Sequence, residues 1–433
     1  MTVDEARALA AQDKRPLYGW LMSAGVSLVG TRVSMVALPF FVLTTTGSPE
    51  KTGLVAVAEM LPLVALKVLG GPIIDRVGAR RVALACDWAS LGVVGAIPLL
   101  FQTGQLSFPL FLALVAVAGA LRGPGDAAKY AMTPTLATMT QVSMERVTGL
   151  SSTVERTASM LGAAIAGGLV AAIGPANALV VDALSFGGSA LLLARAIPAG
   201  TGVGSAKEET DPAPYVQQLR EGWRFLRGDR VLVGITVMVA LTNLIDLAWS
   251  AVLVPVWGLE RFGGAAVVGV LFATFAGASA VGSLVAAAYA ERLPRYATYL
   301  VCFLVTGLPR FVVMAFDAPL WGVLAMAVVG GFASGFLNPI LGAVIYERVP
   351  EHLVGRVTSL STACCFALMP LGGLLGGFLV GGAGLATAML VCGAAYFVVT
   401  MLPAVDPRWR DMDRTSLPTD PDDAPSNAVT SQL

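Results

Sequence analysis

Apolar stretches of about twenty residues recur along almost the whole chain, and this decides what it can fold into. At a rise of about 1.5 Å per residue, one such run crosses the roughly 30 Å of hydrocarbon in a bilayer. No water reaches its backbone there, so each run must close its own hydrogen bonds as a helix. Twelve spans are expected, over residues 18–44, 49–70, 82–102, 107–132, 147–173, 176–197, 231–257, 265–289, 297–316, 319–345, 357–381 and 384–403. Composition agrees, since 56% of residues are hydrophobic and only 13% charged, about half the charge of a soluble domain. The expected fold class is an all-α integral membrane protein.

The basic residues orient it. With the first span entering from the cytoplasm, 20 of the 28 Lys and Arg residues fall in cytoplasmic segments. Lys51 and Arg261 fall on the other side, and Arg32, Lys67, Arg122, Lys129, Arg156 and Arg310 lie within spans. This satisfies the positive-inside rule for an even number of spans and predicts two cytoplasmic termini. The net charge of zero hides that polarity. No basic domain stands free of the membrane, which argues against a nucleic-acid partner. The polar, charged residues 1–15 do not resemble a signal peptide.

The two halves resemble each other. A shift of 210 aligns Arg146, Val147, Thr148, Leu150 and Ser151 with Arg356, Val357, Thr358, Leu360 and Ser361; Gly162, Gly167 and Gly174 then meet Gly372, Gly377 and Gly384. Such a parallel repeat predicts two pseudo-symmetric six-helix bundles with a substrate site between them near mid-membrane. The expected organisation is a cytoplasmic segment 1–16, a first bundle 17–197, a linker 198–230, a second bundle 231–404 and a disordered cytoplasmic tail 405–433, rich in Pro, Asp, Ser and Thr. Within the linker, 200–214 reads as flexible. Tyr215, Leu219, Trp223 and Leu226 recur at helical spacing and predict an amphipathic helix on the membrane surface.

Between the second and third spans lies a short charged turn: Gly71, Ile73, Ile74, Asp75, Arg76, Gly78, Arg80 and Arg81. Its charges exclude it from hydrocarbon, and Gly71 and Gly78 are expected to permit a sharp turn and close helix approach. This order resembles the loop signature of the major facilitator superfamily, departing from it at Ala79. Val36-Ala37-Leu38-Pro39, Met60-Leu61-Pro62, Asp182-Ala183-Leu184-Ser185-Phe186 and the run from Val349 to Val357 are similar to the drug:proton antiporter branch that holds macrolide-efflux and enterobactin-exporter proteins. The resemblance implies the major facilitator fold. It also implies proton-driven export of an amphipathic antibiotic, drug, siderophore or other secondary metabolite; the repeat adds alternating access, the Ala- and Gly-rich composition a bacterial inner membrane, and a monomer without cofactor is expected. By the same analogy Arg122 is similar to the family's fourth-span arginine, and Asp126 completes a gating latch with Asp75 and Arg76 or Arg80. A nutrient importer or uniporter on the same fold stays open, as does a non-transporting receptor.

An ionisable side chain at the centre of a span costs about 3 kcal/mol or more, so it needs a partner or a water-filled cavity. Glu59, Glu155 and Asp246 are the proton-coupling candidates, each weighed against a static ion pair. Arg32, Arg122 and Arg156 are the candidate charge partners. Depth counting brings Arg32 and Glu59 to similar levels and predicts an Arg32–Glu59 pair. Glu155 and Arg156, about 100° apart on one helix, cannot both face the central cavity. Asn243, Asp246 and Trp249 are expected substrate contacts in the seventh span, and Asp182 a structural hydrogen-bond partner.

Nothing in the sequence suggests an enzyme. The five cysteines lack metal-ligand spacing, the single histidine, His352, rules out His-based triads and zinc clusters, and a Gly-rich phosphate loop is absent. No metal or cofactor is expected.

Overall fold

The computed structural model describes residues 13–199, 215–289, 293–350, 353–405 and 409. The stretch read as flexible at 200–214, most of the tail, His352 and the segment up to residue 12 lie outside the described residues. No β-strand occurs among the described residues. The spans are α1 (Arg15–Thr46), α2 (Pro49–Leu69), α3 (Ala79–Gln102), α4 (Phe108–Ala131), α5 (Met144–Ile173), α6 (Pro175–Ala196), α7 (Arg230–Ala248, continued through a π turn, Trp249–Leu253, into Val254–Phe262), α8 (Ala266–Tyr289), α9 (Arg295–Thr306 and Leu308–Ala315), α10 (Leu320–Arg348), α11 (Val354–Ala367 and Leu371–Ala383) and α12 (Leu385–Val405). Eleven meet the length and hydropathy needed to cross a bilayer, and α2 with the short helix Gly71–Val77, bent by 59°, makes the twelfth.

Three breaks are absent from the simple reading of the apolar runs. The π turn inserts a residue into α7, Gly307 divides α9, and the Leu368–Pro370 turn divides α11. The last follows from Pro370, which has no N–H to continue the helix.

The repeat aligned in the sequence is a repeat of geometry. Gly174 and Gly384 link α5 to α6 and α11 to α12, both with φ of +80°, a conformation that suits glycine. Gly162 in α5 packs on α1 at Arg32 and Val29; its counterpart Gly372 in α11 packs on α7 at Leu244 and Ala248. Gly167 meets Gly269 of α8, while Gly377 meets Pro49 and Glu50 of α2. Each bundle therefore contributes one small-residue helix to itself and to its partner, which is how backbones approach in a membrane without a hydrophobic drive. These contacts between bundles, with Gly53 against Gly373, gather on the side of the molecule opposite the chain ends.

The linker helix Tyr215–Gly228 packs against the second bundle. Gly222 lies on Arg356 and Leu360, Arg356 donates to Glu221 at 2.8 Å, and Leu226 is buried with Leu232, Val349, Leu353 and Val357. Arg220, Arg224 and Arg227 are exposed, and so is Trp223, which was expected on the apolar face.

Candidate functional site

Three ion pairs lie within the bundles: Glu59–Arg122 and Asp87–Lys129 in the first, and Asp246–Arg310, half-open on its acid side, in the second. In the first bundle α4 lies directly on α2: a Cβ on Gly119 would stand 2.1 Å from the Glu59 carbonyl oxygen, and one on Gly123 2.4 Å from that of Leu63. This approach delivers Arg122, three residues beyond Gly119, to the Glu59 carboxylate, where Nη1 donates to Oε1 at 2.5 Å. Both side chains are sealed, at 11% and 10% exposure. Glu59 also borders a pocket between the bundles with Met35, Leu38 and Thr52 on one side and Leu247, Ser250 and Ala251 of α7 on the other.

The predicted Arg32–Glu59 pair does not form. Arg32 turns to α5, donating to Ser159 Oγ at 2.9 Å, and to Met35 Sδ of its own helix at 3.1 Å. Depth counting placed the two residues on compatible levels but carried no information about rotation. The glycine face of α4 fixes that rotation and gives Glu59 to Arg122. Asp182 accepts from Ser34 of α1 and from Ser185, a structural role in keeping with its burial.

Glu155 and Arg156 diverge as their 100° separation requires. Tyr130 of α4 points its hydroxyl at Glu155, whereas Arg156 donates to Ser283 of α8 at 2.8 Å, across the two bundles. Lys129, in the same span as Arg122 and Asp126, turns inward. Its Nζ donates to Asp87 of α3 and Ser189 of α6, each at 3.0 Å, and Ser189 pairs with Ser23 of α1. Four helices meet at this network, which holds the end of the first bundle nearest the termini.

In the second bundle Arg310, at the start of the α9 segment after Gly307, pairs with Asp246 of α7. Its guanidinium lies 4.7 Å from the Trp249 ring, 4.8 Å from Phe311 and 5.0 Å from Tyr396, so three aromatic faces share the charge. Asp246 is 41% exposed while Arg310 is 11% exposed. Asn243 is tied to α11. Its amide donates to the Cys365 carbonyl at 3.0 Å, an acceptor left open where α11 breaks. Arg310 as the partner of Asp246 was missed in the sequence, although two opposite charges in the seventh and ninth spans were its signal.

In the turn after α2, Gly78 adopts φ of +96° and ψ of 133°, which explains its residue type. Gly71 does not bring helices together: a Cβ there would meet open space, and neighbouring Gly70 touches Pro124 of α4 only at ordinary contact distance. Asp75, Arg76 and Arg81 are exposed. Arg80 donates to the Ala194 and Ile197 carbonyls at the end of α6, at 3.1 and 2.8 Å, rather than to Asp126. The positive charge completes that helix terminus. Among the described residues no group of acids, histidines and cysteines is placed to hold a metal.

The sequence profile of the Major Facilitator Superfamily matches residues 20–265 and 241–423. The multidrug efflux pump Tap of Mycobacterium tuberculosis is 32% identical over 405 residues, covering 93% of this chain and 96% of Tap. Macrolide efflux protein A of Streptococcus pyogenes is 21% identical, with 81% and 85% covered. Among solved structures, the nucleoside transporter NupG superposes with a TM-score of 0.72 at 12% identity, covering 89% of this chain and 98% of that one, a likeness of fold. Two glycine-packed six-helix bundles, the charged turn after α2 and these matches agree: the chain is a membrane transporter, not an enzyme, and belongs to the Major Facilitator Superfamily.

Proposed function

We propose that this protein exports amphipathic small molecules in exchange for protons, with both termini in the cytoplasm. The observation that carries the reading is Glu59, a carboxylate held by Arg122 inside the first bundle and bordering the pocket shared with α7 of the second. Its protonation removes the charge that Arg122 holds and changes what the wall of the pocket offers a substrate. That is the coupling an antiporter requires: the two bundles alternate access, and the carboxylate exchanges its proton for the cargo. The efflux proteins at 32% and 21% identity support the direction and the cargo class. Glu155, exposed on α5 and facing Tyr130, is the second candidate carrier, and Asp246 the third. The turn holding Gly71, Asp75, Arg76, Gly78, Arg80 and Arg81, with Asp126 beside it, gates the cytoplasmic side as the bundles rock.

The test is substrate-induced proton movement in proteoliposomes, with macrolides, tetracyclines and siderophores as cargo. Glu59→Gln is expected to abolish proton movement while retaining binding; Glu155→Gln and Asp246→Asn locate any second carrier. Compound flux without proton movement in the wild type sinks the antiport reading and makes the protein a uniporter.

A further inference from the structure

The linker helix Tyr215–Gly228 sorts its charges by direction. Gly222 and Leu226 face the second bundle. At about 100° per residue, Arg220, Arg224 and Arg227 stand on the opposite face, with Trp223 beside them. All four are exposed, and so is Arg230, three residues beyond Arg227 at the start of α7. The acids nearby are both engaged with the second bundle. Glu221 accepts from Arg356 of α11 at 2.8 Å, and Asp229 accepts from Arg348 of α10 at 3.0 Å while capping the first turn of α7. Among the described residues no acid stands within ion-pair distance of Arg220, Arg224, Arg227 or Arg230.

The helix lies at the depth where spans end. Gly222 packs on Arg356 and Leu360, and the α11 span begins at Arg356; Gly228 comes two residues before Arg230, where the α7 span begins. That depth is the headgroup layer of a bilayer. An uncompensated row of guanidinium groups beside an indole suits that layer. Tryptophan is enriched there, and four or more basic residues on an amphipathic helix attract anionic lipid, each by roughly fivefold. The tail is the other candidate occupant, through Asp420, Asp422 and Asp423, but its Pro, Asp, Ser and Thr content offers little apolar surface to Trp223.

We propose that the outer face of the linker helix binds anionic lipid, with the guanidinium groups of Arg220, Arg224, Arg227 and Arg230 on headgroup phosphates and Trp223 at the acyl boundary. A guanidinium matches a phosphate through paired hydrogen bonds. Selectivity follows from net charge: phosphatidylglycerol presents an uncancelled phosphate, whereas the choline of phosphatidylcholine offsets its own. The helix is part of the connection between the bundles and is fastened to the second, so lipid held there anchors that bundle in the leaflet. The inference is independent of cargo and of proton coupling.

The test is native mass spectrometry of the purified full chain in detergent, with phosphatidylglycerol and phosphatidylcholine added in equal amounts and their ratio read in the bound lipid. The wild type is expected to favour phosphatidylglycerol. The triple variant Arg220→Gln, Arg224→Gln, Arg227→Gln should lower that preference at least about tenfold. These side chains touch no partner, so it should melt with the wild type. Arg146→Gln with Arg195→Gln removes exposed charge at the ends of α5 and α6 and should change the preference by less than about twofold. A wild type without preference, a triple variant that keeps it, or equal loss in both variants overturns the proposal. So does a preference that appears only after Asp420, Asp422 and Asp423 are changed to Asn, which would give the face to the tail.

Discussion

Each bundle holds a carboxylate–arginine pair, and these two pairs sit in opposite surroundings. In the first, Glu59 and Arg122 are sealed equally because Gly119 and Gly123 bring α4 onto the α2 backbone. In the second, aromatic rings enclose Arg310 while the Asp246 side chain keeps 41% of its surface. The difference teaches which pair can change partners. A sealed pair gives up its charge only when a proton reaches it, whereas an arginine caged by rings keeps its place when its half-open acid turns elsewhere.

Removing one arginine at a time gives the largest contrast. Arg122→Leu leaves Glu59 buried and unpaired and should cost about 3–5 kcal/mol. Arg310→Leu leaves an acid that water can reach, and should cost about 1–3 kcal/mol, as for one lost charged hydrogen bond. Thermal unfolding in detergent, with double-mutant cycles through Glu59→Gln and Asp246→Asn, checks both. Equal coupling energies would break the comparison.

A smaller effect tests the cause of the sealing. Gly119→Ala puts a methyl group 2.1 Å from the Glu59 carbonyl oxygen and must part α2 from α4. The expected loss is about 1–3 kcal/mol. Gly92→Ala in α3, where a Cβ meets open space, should leave the melting midpoint nearly unchanged.

The smallest effect lies at the end of the second bundle near the termini, where Arg295 donates twice to Glu347, at 2.5 and 2.7 Å. These hydrogen bonds hold the Glu347 carboxyl below the usual range. A depressed carboxylate contributes stability above its unfolded pKa of about 4.3, and that contribution fades as pH falls through the lower folded value. The pair is a third exposed on its acid side, so the contribution should stay under about 1 kcal/mol. Melting midpoints recorded down to about pH 3 should lose part of their acid slope in Arg295→Gln.

Much of this was legible in the sequence because membranes leave few choices. Apolar run length predicted the spans, and the shift of 210 predicted a repeat whose glycines at 174 and 384 share one backbone conformation. What escaped was rotation and interruption. The level of Glu59 follows from counting residues, but its partner depends on which face α2 turns to α4, and that is settled by glycines on a different helix. A π turn adds one residue to α7 without altering its hydropathy, so Trp249 could be named without its neighbours. The hydrogen bond from Asn243 to the Cys365 carbonyl escaped because the break in α11 that leaves that carbonyl open was not foreseen, although Pro370 marked it.

The glycine contacts between the bundles bear on how the molecule moves. Where Gly53 meets Gly373 and Gly167 meets Gly269, main chain lies on main chain, while the side chains of Glu50 and Arg156 reach from the first half to Gly381 and Ser283 of the second. Parting the halves there would break few side-chain contacts, chiefly the hydrogen bond from Arg156 to Ser283 and the packing of Glu50 on Gly381.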